Sequence, residues 1–253
     1  NNVGWRGAGI ASYGKIEMTG GTISGNYARN GWGDGGAIYL SGVKNDTGED
    51  YTASDASYCT ISDGNFTNNK SDGAGGAVCA DGYSILYVKG GTFENNAAAT
   101  TGGGINVYSS CLRMSGGTIS ENTAVSTNDS TGNGGGLNLT VGSVADITGG
   151  TIENNQSNSG GGIYANGKSS FTASNLKITG NTAATNGGGI CIPGTKDYEY
   201  NVSLENVLIQ GNKSESGSGA GICAARAWKE ETSTGVLTLK NCQIKENYGT
   251  VAG

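Results

Sequence analysis

Gly102-Gly103-Gly104-Ile105-Asn106-Val107-Tyr108 is followed by the alternating run Leu112-Arg113-Met114 and then by Gly116-Gly117-Thr118-Ile119-Ser120-Glu121-Asn122. Both kinds of block return along the whole chain. Small residues leading to an aliphatic anchor recur at Ile10, Ile38, Val78, Ile105, Leu137, Ile163, Ile190 and Ile222. A second block, Ile or Phe followed three residues later by Asn, ends at Asn26, Asn69, Asn96, Asn122, Asn155, Asn181, Asn212 and Asn247. The two alternate without a break, which is the signature of a stacked repeat whose equivalent residues become vertical neighbours.

Spacing converts the repeat into geometry. Successive anchors lie 28, 40, 27, 32, 26, 27 and 32 residues apart, so a unit of 26 to 28 residues takes insertions while the flanking blocks stay intact. Each unit holds three short runs of alternating apolar and polar residues separated by glycine-rich turns. Three strands per turn, each pairing with its equivalent one turn later, give an all-β fold: a right-handed parallel β-helix, or solenoid, of about eight coils. Residues 1–253 are read as one such domain. At about 4.8 Å per coil the rod is on the order of 40 Å long. No segment sustains a 3.6-residue period, and 48 of the 253 residues are glycine.

Alignment of the coils predicts three inward stacks. One contains pairs such as Leu86/Val88, Leu112/Met114 and Val202/Leu204. A second contains Ile23, Phe66, Phe93, Ile119, Ile152, Ile178, Ile209 and Ile244. The anchors form the third. A hydrophobic content of 35% is thin for a compact globule, but in a solenoid burial accumulates from neighbour to neighbour. The eight asparagines are read as a structural ladder, each side-chain amide donating to one neighbour and accepting from the other. Asn also tolerates the left-handed backbone of a tight corner.

Composition narrows the function classes. The chain carries 15 Lys+Arg against 21 Asp+Glu, a net charge of -6, with no basic cluster, so nucleic acid and anionic membrane surfaces are poor partners. No apolar run is long enough to insert this segment into a membrane as a helix. Histidine is absent, which removes Ser-His and Cys-His nucleophiles and the commonest general base. No Cys-x-x-Cys occurs either. No catalytic residue, metal or cofactor is assigned. Glu121 and Glu153, in consecutive coils, are read as exposed strand-end residues. Cys191 and Cys223 follow their anchors at the same outward position of consecutive coils. A Cα separation near 4.8 Å would permit a disulfide there, with free thiols as the alternative.

Ligand contact is expected on the insertions, because solenoids carry function on loops that leave the coil. Residues 41–58, 193–201 and 225–235 leave at one corner. The last two place Asp197, Tyr198, Glu199 and Tyr200 near Arg226 and Trp228, aromatics beside charged hydrogen-bonding groups, as glycan or host-surface protein contacts use. A second cluster joins Trp5 and Trp32 of neighbouring coils with Tyr27 and Asp34. The first and last residues fall within a coil and carry no polar cap, so a monomeric segment within a longer chain is expected.

The glycine-block and Phe/Ile-x-x-Asn alternation resembles the repeat of bacterial surface proteins of the polymorphic membrane protein type. It is also similar to adhesin-like repeats in large cell-surface proteins of gut bacteria and archaea. Gly20-Gly21-Thr22-Ile23-Ser24-Gly25-Asn26 and Gly116-Gly117-Thr118-Ile119-Ser120-Glu121-Asn122 carry that likeness. The resemblance implies a right-handed β-helix, an extracellular or cell-surface location, and a role in adhesion or display. Two alternatives use the same fold: a polysaccharide-active enzyme of the pectate-lyase or glycoside-hydrolase kind, and a passive stalk.

Overall fold

The computed structural model describes residues 1–42, 57–126, 132–166, 168–194, 200–225 and 235–249. Among them there is no helix, and the strands pair in parallel, each with its equivalent in the next coil. The chain is a parallel β-helix.

Three sheets result. An eight-stranded sheet contains the anchor strands, from Ile10–Ser12 through Val78–Asp81 and Ile105–Tyr108 to Ile222–Ala225. Its register places Ile38 opposite Val78 and Ile105 opposite Leu137. A nine-stranded sheet is made of two-residue strands that follow the ladder asparagines, such as Ala97–Ala98 and Thr123–Ala124. The third sheet, of fourteen strands, covers two faces of the coil. In the first two coils a single ten-residue strand, Lys15–Ser24 or Tyr58–Thr67, spans both faces, whereas the next coil uses Ile85–Val88 and then Thr92–Glu94.

Gly116-Gly117 interrupts the run as the repeat predicts, between Cys111–Met114 and Thr118–Ser120, whereas at Gly20-Gly21 the strand continues with register shifts between Met18 and Thr22. Gly21 takes φ +94°, as does its equivalent Gly117, a backbone region that a Cβ would strain. The corner is thus made by glycine conformation whether or not hydrogen bonding is interrupted.

The three inward stacks merge into one continuous core containing Phe66, Phe93, Ile119, Leu112, Met114 and the central anchors, all buried. Phe66 and Phe93 stack face to face, with ring centroids 4.7 Å apart and planes 6° from parallel. Their coils also differ at the residue before the anchor. A Cβ added to Gly104, Gly136 or Gly162 would lie 2.9, 2.8 or 3.1 Å from the Cγ2 of Ile119, Ile152 or Ile178. Where the stack residue is Phe66 or Phe93, the equivalent position holds Ala37 or Ala77, both fully buried. Phenylalanine has no branch at Cβ, which leaves room for the alanine methyl. The main chain follows suit: Ala37 and Ala77 donate their N–H to the equivalent residue of the next coil, whereas Gly104 donates to Gly135, one residue earlier.

Candidate functional site

Two rows of polar side chains run along the coil axis, one inside and one outside. The inner row holds the eight ladder asparagines, and Asn69, Asn96, Asn122, Asn155, Asn181 and Asn212 are almost wholly buried. Asn96 Nδ2 donates to Asn122 Oδ1 at 3.0 Å and to the Phe66 carbonyl at 2.8 Å, while its main-chain N–H reaches the same Asn122 Oδ1 at 2.9 Å. The pattern repeats through Asn155, Asn181, Asn212 and Asn247. At the N-terminal side it continues through Asn69 and Asn26 to Asn2. Side-chain amides, backbone N–H groups and carbonyls are satisfied together. One expectation is corrected: the left-handed residue of this corner is the one before each ladder position. Asn68, Asn95, Glu121, Asn154 and Glu246 carry the positive φ, as do Gly25, Gly180 and Gly211.

The outer row is formed by the residue after each anchor from Ile38 onward: Tyr39, Cys79, Asn106, Asn138, Tyr164, Cys191 and Cys223. These side chains leave the core face of the eight-stranded sheet, yet most are buried because the loop preceding each anchor folds back over them. Thr101 Oγ1, for example, donates to Asn106 Oδ1 at 3.1 Å. Asn138 Nδ2 donates to the same oxygen at 2.6 Å, and its own Oδ1 is buried without a hydrogen-bond partner.

At the N-terminal end of this row a cavity of about 470 Å³ opens, lined by Arg6, Trp32, Asp34, Asp81, Asn106 and Tyr108 among others. Trp32 is 74% exposed and Tyr108 45%, so both aromatic faces meet solvent at the rim. Below them Arg6 NH1 donates to Tyr39 Oη at 3.0 Å, and Tyr39 Oη donates to Asp81 Oδ2 at 2.7 Å. The guanidinium lies 5.0 Å from the Tyr39 ring centre and 5.4 Å from that of Trp5. Its Nε stands 3.7 Å from Asp34 Oδ2 and is buried with no hydrogen-bond acceptor. Asp34 Oδ1 accepts the Ala74 N–H at 2.8 Å.

Burial pushes the Asp34 carboxyl above its usual range, against the lowering effects of the Ala74 hydrogen bond and of Arg6, and Asp81 adds a smaller upward push. Burial likewise raises the Tyr39 phenol, helped by its bond to Asp81. The cavity therefore combines an aromatic rim with carboxylate acceptors and guanidinium and amide donors, a set suited to a polyhydroxylated ligand.

The predicted sites fare unequally. Asp197, Tyr198, Glu199, Arg226 and Trp228 lie outside the described residues, while Tyr200 packs against the core and its carbonyl accepts the Val236 N–H at 2.8 Å. Of the second cluster, Trp32 and Asp34 line the cavity and Trp5 flanks Arg6. Tyr27 turns elsewhere, donating to Asp72 Oδ1 at 2.6 Å beneath Lys70. Glu153 is in register with Ser120, so Glu121 sits beyond the strand pair. Arg6, Tyr39, Asp81 and Tyr108 were not singled out from sequence. The signal for the last two was present: Asp81 and Tyr108 each fall three residues after an anchor, on the same outward strip.

Cys191 and Cys223 are register partners and both are free thiols. No group of three or more Cys, Asp or Glu among the described residues is arranged to hold a metal ion. Among the described residues no helix is long and apolar enough to cross a membrane, which says nothing of β-barrels.

Residues 63–81 and 175–193 match the family model of the Chlamydia polymorphic membrane protein (Chlamydia_PMP) repeat. Each match spans one Phe/Ile-x-x-Asn block and the glycine block after it, ending shortly beyond the anchors Val78 and Ile190. The chain is thus a parallel β-helix repeat protein that carries this repeat at two places. No curated protein and no solved structure matches the chain.

Proposed function

We propose that this chain is a surface-displayed β-helix module for adhesion or display, and that it contacts glycans through the cavity between Trp32 and Tyr108. The repeat match supports the surface reading, because the family it names is one of polymorphic membrane proteins. The observation that carries the glycan reading is the cavity itself: exposed aromatic faces at the rim, with Asp34, Asp81, Asn106 and Arg6 beneath. Sugar rings stack their apolar C–H faces on such aromatics while carboxylates and amides take the hydroxyls. The buried Arg6 Nε–H, lacking an acceptor, is a donor that a ligand oxygen would complete.

A glycan array followed by titration calorimetry tests this. Binding that weakens at least tenfold in Trp32→Ala and in Asp81→Asn supports the proposal. Absence of binding to every glycan overturns it and leaves a passive stalk.

A second reading, a polysaccharide-active enzyme, is favoured by one observation: a desolvated Asp34 with a raised carboxyl pKa sits close to Asp81. Release of reducing or unsaturated sugar from a bound polysaccharide, lost in Asp34→Asn, would establish it.

A further inference from the structure

The outer row ends in a pair of sulfurs. Cys191 and Cys223 occupy equivalent positions of the adjacent strands Ile190–Pro193 and Ile222–Ala225, directly opposite one another in the parallel register. Side chains of register partners leave a sheet on the same face, about 4.8 Å apart at the backbone, which lies within the Cα range that a disulfide spans. Cys191 and Cys223 thus sit side by side on the outer face of the sheet. Both are buried, at 4% and 8% exposure, with Cys223 the more open. The other cysteines are placed differently. Cys59 lies in the hydrophobic core, Cys79 faces Asn106, Cys111 pairs with Ile85 and Val144, and Cys242 bonds to the Leu204 carbonyl. None of these four has another cysteine as its register partner.

We infer that Cys191 and Cys223 form a thiol–disulfide exchange site, with Cys223 as the attacking sulfur and Cys191 as the resolving one, whose co-reactant is a low-molecular-weight disulfide. In the first step the Cys223 thiolate attacks one sulfur of the co-reactant, forming a mixed disulfide and expelling one thiolate, which takes up a proton. In the second step the Cys191 sulfur gives up its proton and displaces the remaining thiol, closing the Cys191–Cys223 bond. Two protein thiols and one small disulfide become one protein disulfide and two small thiols, so electrons and protons balance.

The electrostatics fit this division of labour. Interaction with the neighbouring thiol pushes Cys223 down and Cys191 up, and burial adds to the rise at Cys191. Tyr164, the register partner of Cys191 on its other side, is raised to about 12 chiefly by burial and stays a neutral phenol. Closure would fasten two consecutive coils across the outer face of the sheet, which no other described contact does covalently.

Incubation of the native protein with oxidised glutathione, followed by alkylation and non-reducing peptide mapping, tests the site. The expected result is a single intrachain link between the Cys191 and Cys223 peptides, with the buried Cys59, Cys79 and Cys111 alkylated only after denaturation and the half-buried Cys242 in no link. In Cys191→Ser, Cys223 should stop at the glutathione adduct, whereas in Cys223→Ser, Cys191 should remain unmodified in the folded protein. The linked form should also melt at a higher temperature than the reduced one. The inference is overturned if wild-type protein yields no such link, if the link involves another cysteine, or if Cys191 forms the adduct without Cys223. Because the wild-type map alone decides the first two points, a variant that fails to fold leaves the test intact. The result is independent of glycan binding.

Discussion

The inner and outer polar rows run parallel along one axis, and they have opposite characters. Inside the corner every coil supplies the same residue, and each amide finds the same partners above, below and in the main chain. Outside the eight-stranded sheet the row reads Tyr39, Cys79, Asn106, Asn138, Tyr164, Cys191, Cys223, and the chemistry changes from coil to coil. A uniform row satisfies itself by translation. A varied row does not: Asn138 Oδ1 is buried without a hydrogen-bond partner, as is Nε of the Arg6 that bonds to Tyr39, and beside Tyr39 the row opens into a cavity. Repetition therefore marks the scaffold, and departure from repetition marks the places free to acquire chemistry.

The contrast breaks most visibly at the ladder. Asn122→Ala removes the acceptor for Asn96 and the donor to the Phe93 carbonyl and Asn155. Each buried orphan costs about 1–3 kcal/mol, so the substitution should lower stability by roughly 3–5 kcal/mol in chemical denaturation. An effect below about 1 kcal/mol would show that the ladder is incidental to the fold.

Asp34→Asn sharpens the comparison through pH. Because burial raises the folded-state pKa of Asp34, the fold disfavours its carboxylate. Between the unfolded value near 4 and the raised folded value, the native chain holds more protons than the unfolded one, so wild-type stability falls as pH rises. Asn carries no such charge. The variant should gain on wild type at neutral pH, and the gap should close on acidification below about pH 4. Thermal melts across that range would contradict the assignment if the gap widened towards acid.

Smaller effects are expected elsewhere on the outer row. Asn138→Ala discards a buried oxygen that has no partner, while Asn106 Oδ1 keeps Thr101 as a donor. Its stability cost should stay below about 1 kcal/mol, several-fold less than the same change at Asn122. Trp32→Ala should leave the melting curve almost unmoved, within about 0.5 kcal/mol, because its ring is exposed. Its effect should appear in glycan affinity alone.

The fold was legible because its signal is translational: the anchors, the Ile/Phe stack and the ladder asparagines each repeat, and one alignment brings all three into register. The cavity was only half legible. Trp32 and Asp34 stood out as an aromatic and an acid in one loop, but Arg6 and Tyr39 act through a contact between loop and sheet that no period encodes. The left-handed corner was displaced by one residue, since Asn and Gly tolerate positive φ equally well on either side of the ladder position. Sequence spacing cannot say which of two adjacent residues turns.

The matched choice of Gly with Ile and Ala with Phe sets rules for how such a chain can grow. Gly104 and Ile119 lie fifteen residues apart within one coil, and Ala77 and Phe93 sixteen. A gene duplication or deletion whose endpoints fall between the two would join Ala to Ile, forcing a clash, or Gly to Phe, leaving a methyl-sized gap. Endpoints in the loop that precedes the glycine block would carry both members together as an intact cassette. Rod length is thus open to recombination, provided the cut respects that internal pairing.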